Sequence, residues 1–297
     1  MNKTLLSFDD DFKELSTLFN KGKLPKVLML SGEKGQGKCT LIYHLLSYIF
    51  DKNNYSIQTK SINLKNKLFN GFKDNSLSNI IYLSGEDKDL KIEKIRNLKS
   101  DLQKSTLDNN ARYVVFDDVE LMNMNCTNAL LRIIEEPTYI NHFILINNKS
   151  KDIMDTIRSR CIEKKIFLSV SQKNKIIDNL INNLDITDKI NYKNTHITPG
   201  FFLIFNGICE DENIMIDDKL SKNVDKLLKL FKQKKDKKYV NFLKFLINYH
   251  FNNILKSRKN ITEIYEKQLT TLKMINNFNN LNINVKNLIN EIENIVK

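Results

Sequence analysis

The sequence predicts an α/β fold in which a parallel sheet carries a phosphate loop, continued by an all-helical second half. Three observations lead there. The apolar run Val27-Leu28-Met29-Leu30 passes straight into a glycine-rich turn and then into a helix pattern, Leu41 to Leu46. Further apolar runs, Ile80 to Leu83, Tyr113 to Phe116 and Phe143 to Ile146, alternate with helix patterns at Ile92 to Leu102 and Asn128 to Glu135. Strands that are apolar throughout suit a parallel sheet covered on both faces. Beyond about Phe167 the strand signals stop, and Leu, Ile and Phe recur at threes and fours.

Taken in order, the first element is an amphipathic helix, because Phe12, Leu15, Leu18 and Phe19 share one face of the segment Asp9 to Asn20. Pro25 ends that approach to the first strand. Strand, glycine turn and helix together make the phosphate-loop unit. Asp51 to Asn79 is polar and poorly patterned, after which strands and helices alternate as above. The helical half includes patterns at Val224 to Phe231 and Tyr239 to Leu255 and reads as two pieces joined near Glu210 to Asp218. Three parts are expected, 1–167, 168–215 and 216–297.

At 297 residues, 41% hydrophobic and 28% charged, the chain falls in the soluble globular class and is long enough for more than one core. The amino terminus places Asp9, Asp10 and Asp11 where a secretory signal needs an apolar segment, and no apolar run approaches bilayer length, so a cytoplasmic protein with no membrane partner is expected. Cys39, Cys126, Cys161 and Cys209 form no C-x-x-C pair, which argues against a zinc knuckle or a disulfide framework. The formal charge of +12 suits a polyanionic partner such as DNA. It suits equally a chain rich throughout in Lys, Asn and Ile, as A+T-rich coding produces.

The chemistry is concentrated in two stretches. In Gly32-Glu33-Lys34-Gly35-Gln36-Gly37-Lys38, glycines let backbone amides turn toward a polyphosphate, the following helix adds the positive end of its dipole, and Lys38 reaches the outer phosphates. Gly32, Gly35, Gly37 and Lys38 are therefore candidate nucleotide contacts. The next position calls for a hydroxyl to hold magnesium, and Cys39 stands there, a poor ligand for a hard cation. Thr40 could replace it only if the loop shifted. The strand ending at Phe116 delivers Asp117 and Asp118, then Glu120. In a phosphate-loop ATPase the first acid holds magnesium and the second orients the attacking water; the plainer alternative is a pair of acids capping a strand end. His44, His142, His196 and His250 have no metal-ligand spacing.

Two further segments carry a resemblance. Asn128-Ala129-Leu130-Leu131-Arg132-Ile133-Ile134-Glu135-Glu136-Pro137 is similar to a helix of the AAA+ clamp-loader subunits of bacterial DNA polymerase III, with Arg132 in the usual Lys position. Ser159-Arg160-Cys161, preceded by Thr156-Ile157-Arg158, is similar to their Ser-Arg-Cys motif. The order phosphate loop, acid pair, Glu-Glu-Pro helix, Ser-Arg-Cys belongs to that family rather than to phosphate-loop proteins at large. Within it the delta-prime branch is the closer match, through Lys91-Ile92-Glu93-Lys94-Ile95-Arg96 and Thr198-Pro199-Gly200. The resemblance covers roughly residues 24 to 205.

The resemblance implies that 1–167 is a AAA+ phosphate-loop domain, 168–215 a helical lid and 216–297 a helical collar for oligomerisation. It implies as partners the other clamp-loader subunits (gamma/tau and delta), the sliding clamp and primed DNA. Arg160, with Arg158 as the alternative, would serve in trans as an arginine finger at a neighbour's ATP. Asn148 falls at the sensor 1 position, and a solvated Asn147-Asn148 turn is the competing reading. Three departures from the family pattern, besides Cys39, bear on catalysis or metal. Asp118 stands where the usual residue is Glu, about one methylene short. Phe201 and Phe202 stand where motor subunits carry a sensor 2 arginine. Residues 50–80 contain neither Cys nor His, so the family's zinc module is not expected. ATP and magnesium are thus expected to bind weakly or not at all, with little ATPase activity from the chain itself. The rival readings are an ATP-hydrolysing gamma/tau-like motor subunit and a stand-alone nucleic-acid-binding AAA+ protein.

Overall fold

The apolar runs become the interior of one five-stranded parallel sheet in the computed structural model, which describes residues 3–66, 68, 72, 79–87, 90–102, 111–256, 261–281 and 285–296. Most of 67–78, within the stretch expected to lack a zinc module, lies outside the described residues, as do 257–260, 282–284 and 297 of the expected third part. The chain divides into two units, Met1–Ile176 with Thr198–Gly200, and Ile177–Ile197 with Phe201–Lys297.

In the first unit the elements run α1 (Asp9–Asn20), β1 (Val27–Ser31), α2 (Lys38–Phe50), β2 (Tyr55–Ser56), β3 (Ser61–Ile62), β4 (Ile80–Ser84), α3 (Ile92–Leu102), β5 (Arg112–Asp117), α4 (Met124–Ile134), β6 (Asn141–Asn147), α5 (Asp155–Arg158) and β7 (Ile162–Lys165). α6 (Val170–Leu184) begins in this unit and ends in the other. The sheet order is β4-β5-β6-β1-β7, all parallel. β2 and β3 form a separate antiparallel pair.

Register brings the chemistry to one edge. Ser31 pairs with Asn147 and with Lys165, and Ser84 pairs with Asp117, so the phosphate loop, the acid pair and the turn after β6 all leave the carboxyl ends of neighbouring strands. β1 sits between two strands that come much later in the chain, and the crevice outside such a switch point is where open parallel sheets bind ligands.

β1 is buried along its whole length, as a covered parallel strand must be. On one face Val27, Met29, Val114, Phe116, Phe143 and Leu145 share a core with Leu98 of α3 and Leu130 and Ile133 of α4. β7 escapes a search for apolar runs because it is an edge strand, Ile-Glu-Lys-Lys, mostly exposed and paired only with β1. α4 starts four residues earlier than the apolar pattern indicates, because Asn123 caps it by accepting the Cys126 N–H at 2.9 Å.

The second unit is helical: the end of α6, then α7 (Pro199–Asp211), whose first two residues belong with the first unit, α8 (Leu220–Lys234), α9 (Lys237–Leu255), α10 (Ile261–Leu281) and α11 (Val285–Val296). One apolar cluster extends from Ile177 to Ile292. Phe205 stacks on Phe242 at 4.9 Å and on Phe201 at 5.2 Å, while Phe202 meets Tyr192 edge-on at 5.4 Å. The two rings expected at the sensor 2 position are therefore built into this unit's own core. No described helix is long and apolar enough to cross a membrane.

Candidate phosphate-loop site

Gly37 closes the loop with φ of +103°, a backbone conformation that a side chain would strain, and a Cβ there would meet the Phe8 ring at 3.1 Å. Lys38, 2% exposed, donates from Nζ to the carbonyls of Gly32 and Glu33, both at 2.8 Å. Burial pulls its pKa down to about 8, against the pull of Asp117, Glu120, Asp118 and Glu33 in the other direction. The next two carbonyls are also taken. Lys34 O accepts the Thr198 hydroxyl at 2.9 Å, and Gly35 O accepts the Gly200 N–H at 2.8 Å. Carbonyls 32 to 35 of the loop are thus all bonded within the chain.

Asp117, ending β5, accepts from the Tyr82 hydroxyl (2.7 Å), the Asp118 N–H (2.9 Å) and Asn148 Nδ2 (3.3 Å). Burial first, with the Cys39 thiol and Asp117 carboxylate adding, keeps the Tyr82 phenol protonated. Asp118 is 5% exposed and holds a left-handed backbone, φ +50°. Its Oδ1 lies 2.8 Å from Asn148 Nδ2 and 3.0 Å from Lys34 Nζ, which also pairs with Glu86 at 2.7 Å. Burial lowers the Lys34 pKa, but the two carboxylates outweigh it and the net shift is upward. Glu120 accepts from the Asn148 N–H (3.1 Å) and the Ser150 hydroxyl (2.6 Å), pinning the turn after β6.

Asn148 directs its side-chain amide at both carboxylates of the acid pair. Cys39 and Thr40, both partly exposed, open α2. A magnesium nucleotide does not fit this donor set as it stands: Asp117 is held by three donors of its own chain, Asp118 faces an ammonium, and a thiol occupies the hydroxyl position. Among the described residues, no three His, Cys, Asp or Glu side chains gather as a metal site.

Arg160 follows α5, and its guanidinium makes three hydrogen bonds, the longest to Ser159 Oγ at 3.4 Å. Nη1 donates to Thr156 O at 3.0 Å and Nη2 to Glu135 Oε1 at 2.8 Å. Among the described residues, Arg158 pairs more loosely, with Asp155 at 3.8 Å. The fold thereby links the two segments that carry the resemblance, since Glu135 belongs to the Glu-Glu-Pro stretch. It also forms a groove from residues far apart in the sequence. α3 and α4 border a groove of about 320 Å³ whose lining includes Arg96, Lys99 and Arg132, with Asn125 and Asn128, and no carboxylate among the described residues. Each cation was visible in the sequence; their convergence depends on how the two helices pack.

A family profile described as "DNA polymerase III, delta subunit" matches residues 9–168, more than half of the chain. The chain belongs to this family. Several DNA polymerase III subunits align with it at low identity. The DNA polymerase III subunit delta' of Buchnera aphidicola subsp. Baizongia pistaciae is 24% identical over 188 residues, 63% of this chain and 51% of that protein. The subunit gamma of Buchnera aphidicola subsp. Schizaphis graminum is 26% identical over 155 residues, 52% of this chain and 41% of that protein. The subunit delta' of Bacillus subtilis is 22% identical over 219 residues, 74% of this chain and 62% of that protein. The chain spans about half the length of the first two of these curated relatives. A DNA polymerase III gamma subunit-related protein of Thermotoga maritima has the same fold, with TM-score 0.51 over 97% of both chains at 17% identity. This family member is thus a parallel α/β domain followed by a helical region.

Proposed function

We propose that the chain is the delta-prime subunit of a DNA polymerase III clamp loader, a structural AAA+ subunit that helps load the sliding clamp onto primed DNA. The observation that carries this reading is the state of its own acid pair, which is satisfied from within the chain. A motor subunit needs those carboxylates for metal and attacking water. The gamma/tau-like alternative draws on the similarity to gamma subunits, which identity at this level does not separate from delta-prime.

In this reading 1–167, 168–215 and 216–297 serve as AAA+ domain, lid and collar, and gamma/tau and delta subunits are the neighbours. Arg160 reaches the ATP of an adjacent subunit. A planar, always-charged guanidinium suits that role because it can donate to two phosphate oxygens as charge shifts in the transition state. Arginine fingers are worth roughly 10³ to 10⁵ in rate at their own site. The test is to rebuild the complex with Arg160→Ala and, separately, Arg158→Ala, and to measure clamp- and DNA-stimulated ATPase once assembly is verified. Arg160→Ala is expected to lower total ATPase severalfold, since other sites in the ring keep working, and to lower clamp loading further. Unchanged rates would remove the assignment.

A further inference from the structure

The Lys34 side chain joins the phosphate loop to the acid pair, a contact that no nucleotide-binding role requires of it. Its ammonium lies 3.0 Å from Asp118 Oδ1 and 2.7 Å from Glu86 Oε1. The Asp118 side chain is 7% exposed, and a carboxylate that deeply buried must be paired or hydrogen-bonded. Here Asn148 supplies the hydrogen bond and Lys34 the charge. The base of Lys34 is fixed as well, since its carbonyl accepts the Thr198 hydroxyl.

We propose that Lys34 is a resident counter-ion that supplies, from within the chain, the positive charge a nucleotide-bound magnesium ion would bring to the acid pair, and so excludes magnesium nucleotide from this loop. The inference deepens the function proposed above and rests on it. A dication approaching Asp118 must either displace the ammonium from two carboxylates or settle beside it against like charge. Asp117 offers little relief, because Tyr82, the Asp118 N–H and Asn148 already donate to it. Cys39 adds no hard ligand. A metal-free nucleotide meets no such repulsion, because its phosphates are negative and Lys34 is positive. The signature is therefore loss of magnesium dependence rather than loss of phosphate affinity.

The experiment uses the full chain, as wild type, Lys34→Gln and Lys34→Arg. ADP affinity is measured calorimetrically with magnesium chloride and with EDTA, and the unfolding midpoint is followed against magnesium chloride alone. Wild type and Lys34→Arg are expected to bind ADP no better with magnesium than without, and to keep their midpoints. Lys34→Gln is expected to gain about tenfold in ADP affinity on adding magnesium, and its midpoint to rise with the ion, which now compensates Asp118 and Glu86. A magnesium-dependent gain of that size in wild type overturns the proposal. So does a Lys34→Gln protein indifferent to magnesium in both measurements. Should Lys34→Gln fold poorly, Glu86→Gln loosens the same ammonium and is expected to give a smaller gain of the same sign; indifference there overturns the proposal equally. The parent reading fails separately, through Arg160→Ala in the assembled complex, where no Lys34 variant is involved.

Discussion

Lys38 is a buried cation whose hydrogen-bond partners are neutral carbonyls, and that combination has a measurable consequence for stability. The native chain gives up this proton near pH 8, whereas the unfolded chain keeps it until about 10.5. Between those values the unfolded state binds more protons, so the site's contribution to stability rises with pH, by about 1.4 kcal/mol per unit at most. Below pH 8 the penalty of the buried charge is present in full. Comparing denaturant unfolding of wild type and Lys38→Met across that window should show the rise in wild type alone; parallel curves would refute it. The glycine-rich turn between β1 and α2 was readable from residue types and spacing. The partners of Lys34 were not, because Glu86 and Asp118 are brought to it by the sheet. Adding Cys39→Ser to Lys34→Gln should strengthen magnesium-dependent ADP binding beyond Lys34→Gln alone, as a hard ligand joins uncompensated acids.

Among the elements, the amino end of α7 is held against the phosphate loop by two hydrogen bonds and a close backbone approach. A Cβ on Gly200 would stand 2.8 Å from Gly35 Cα and 3.0 Å from Gly35 O, and neither is the end of a flexible side chain. Gly200→Ala is therefore expected to cost about 1–3 kcal/mol, and Thr198→Val about 1 kcal/mol for the lost hydroxyl bond to Lys34 O, both read from denaturant unfolding. A neutral Gly200→Ala would mean the segment yields freely. The groove between α3 and α4 supports contact with a polyanion in the proposed function. Arg96→Ala and Arg132→Ala should each weaken binding of primed DNA and reduce its salt dependence by about one unit of slope. Equal loss at all salt concentrations would point away from phosphate contacts. Helix and strand periodicity made α1, α3 and the interior strands legible. The start of α4 and strand β7 were obscured because a capping Asn and an exposed edge leave little apolar pattern.

At the scale of the molecule, the collar assignment for 216–297 needs a gentler probe than truncation. Leu220, Val224, Leu227 and Phe242 share one core with Ile177, Phe202 and Phe205, so a chain ending near Asp218 loses the fold of the second unit along with any assembly surface. α10 offers the better probe, since Ile261, Tyr265 and Leu269 repeat every four residues and are 65%, 54% and 39% exposed. Ile261→Lys combined with Tyr265→Lys should impair copurification with partner subunits while changing unfolding free energy by only about 0.5 kcal/mol. Normal copurification would move the assembly surface elsewhere. By itself the sequence determined the fold class, because apolar runs and helix periodicity are local consequences of burial on two faces or one. It also determined the family, because its motifs come in a particular order along the chain. Only the tertiary structure decided what those motifs face. Lys34 on Asp118, Arg160 on Glu135, Thr198 and Gly200 on the loop, and three cations in one groove all join residues far apart in the chain. Strand register and helix packing, which depend on the whole sheet, bring them together.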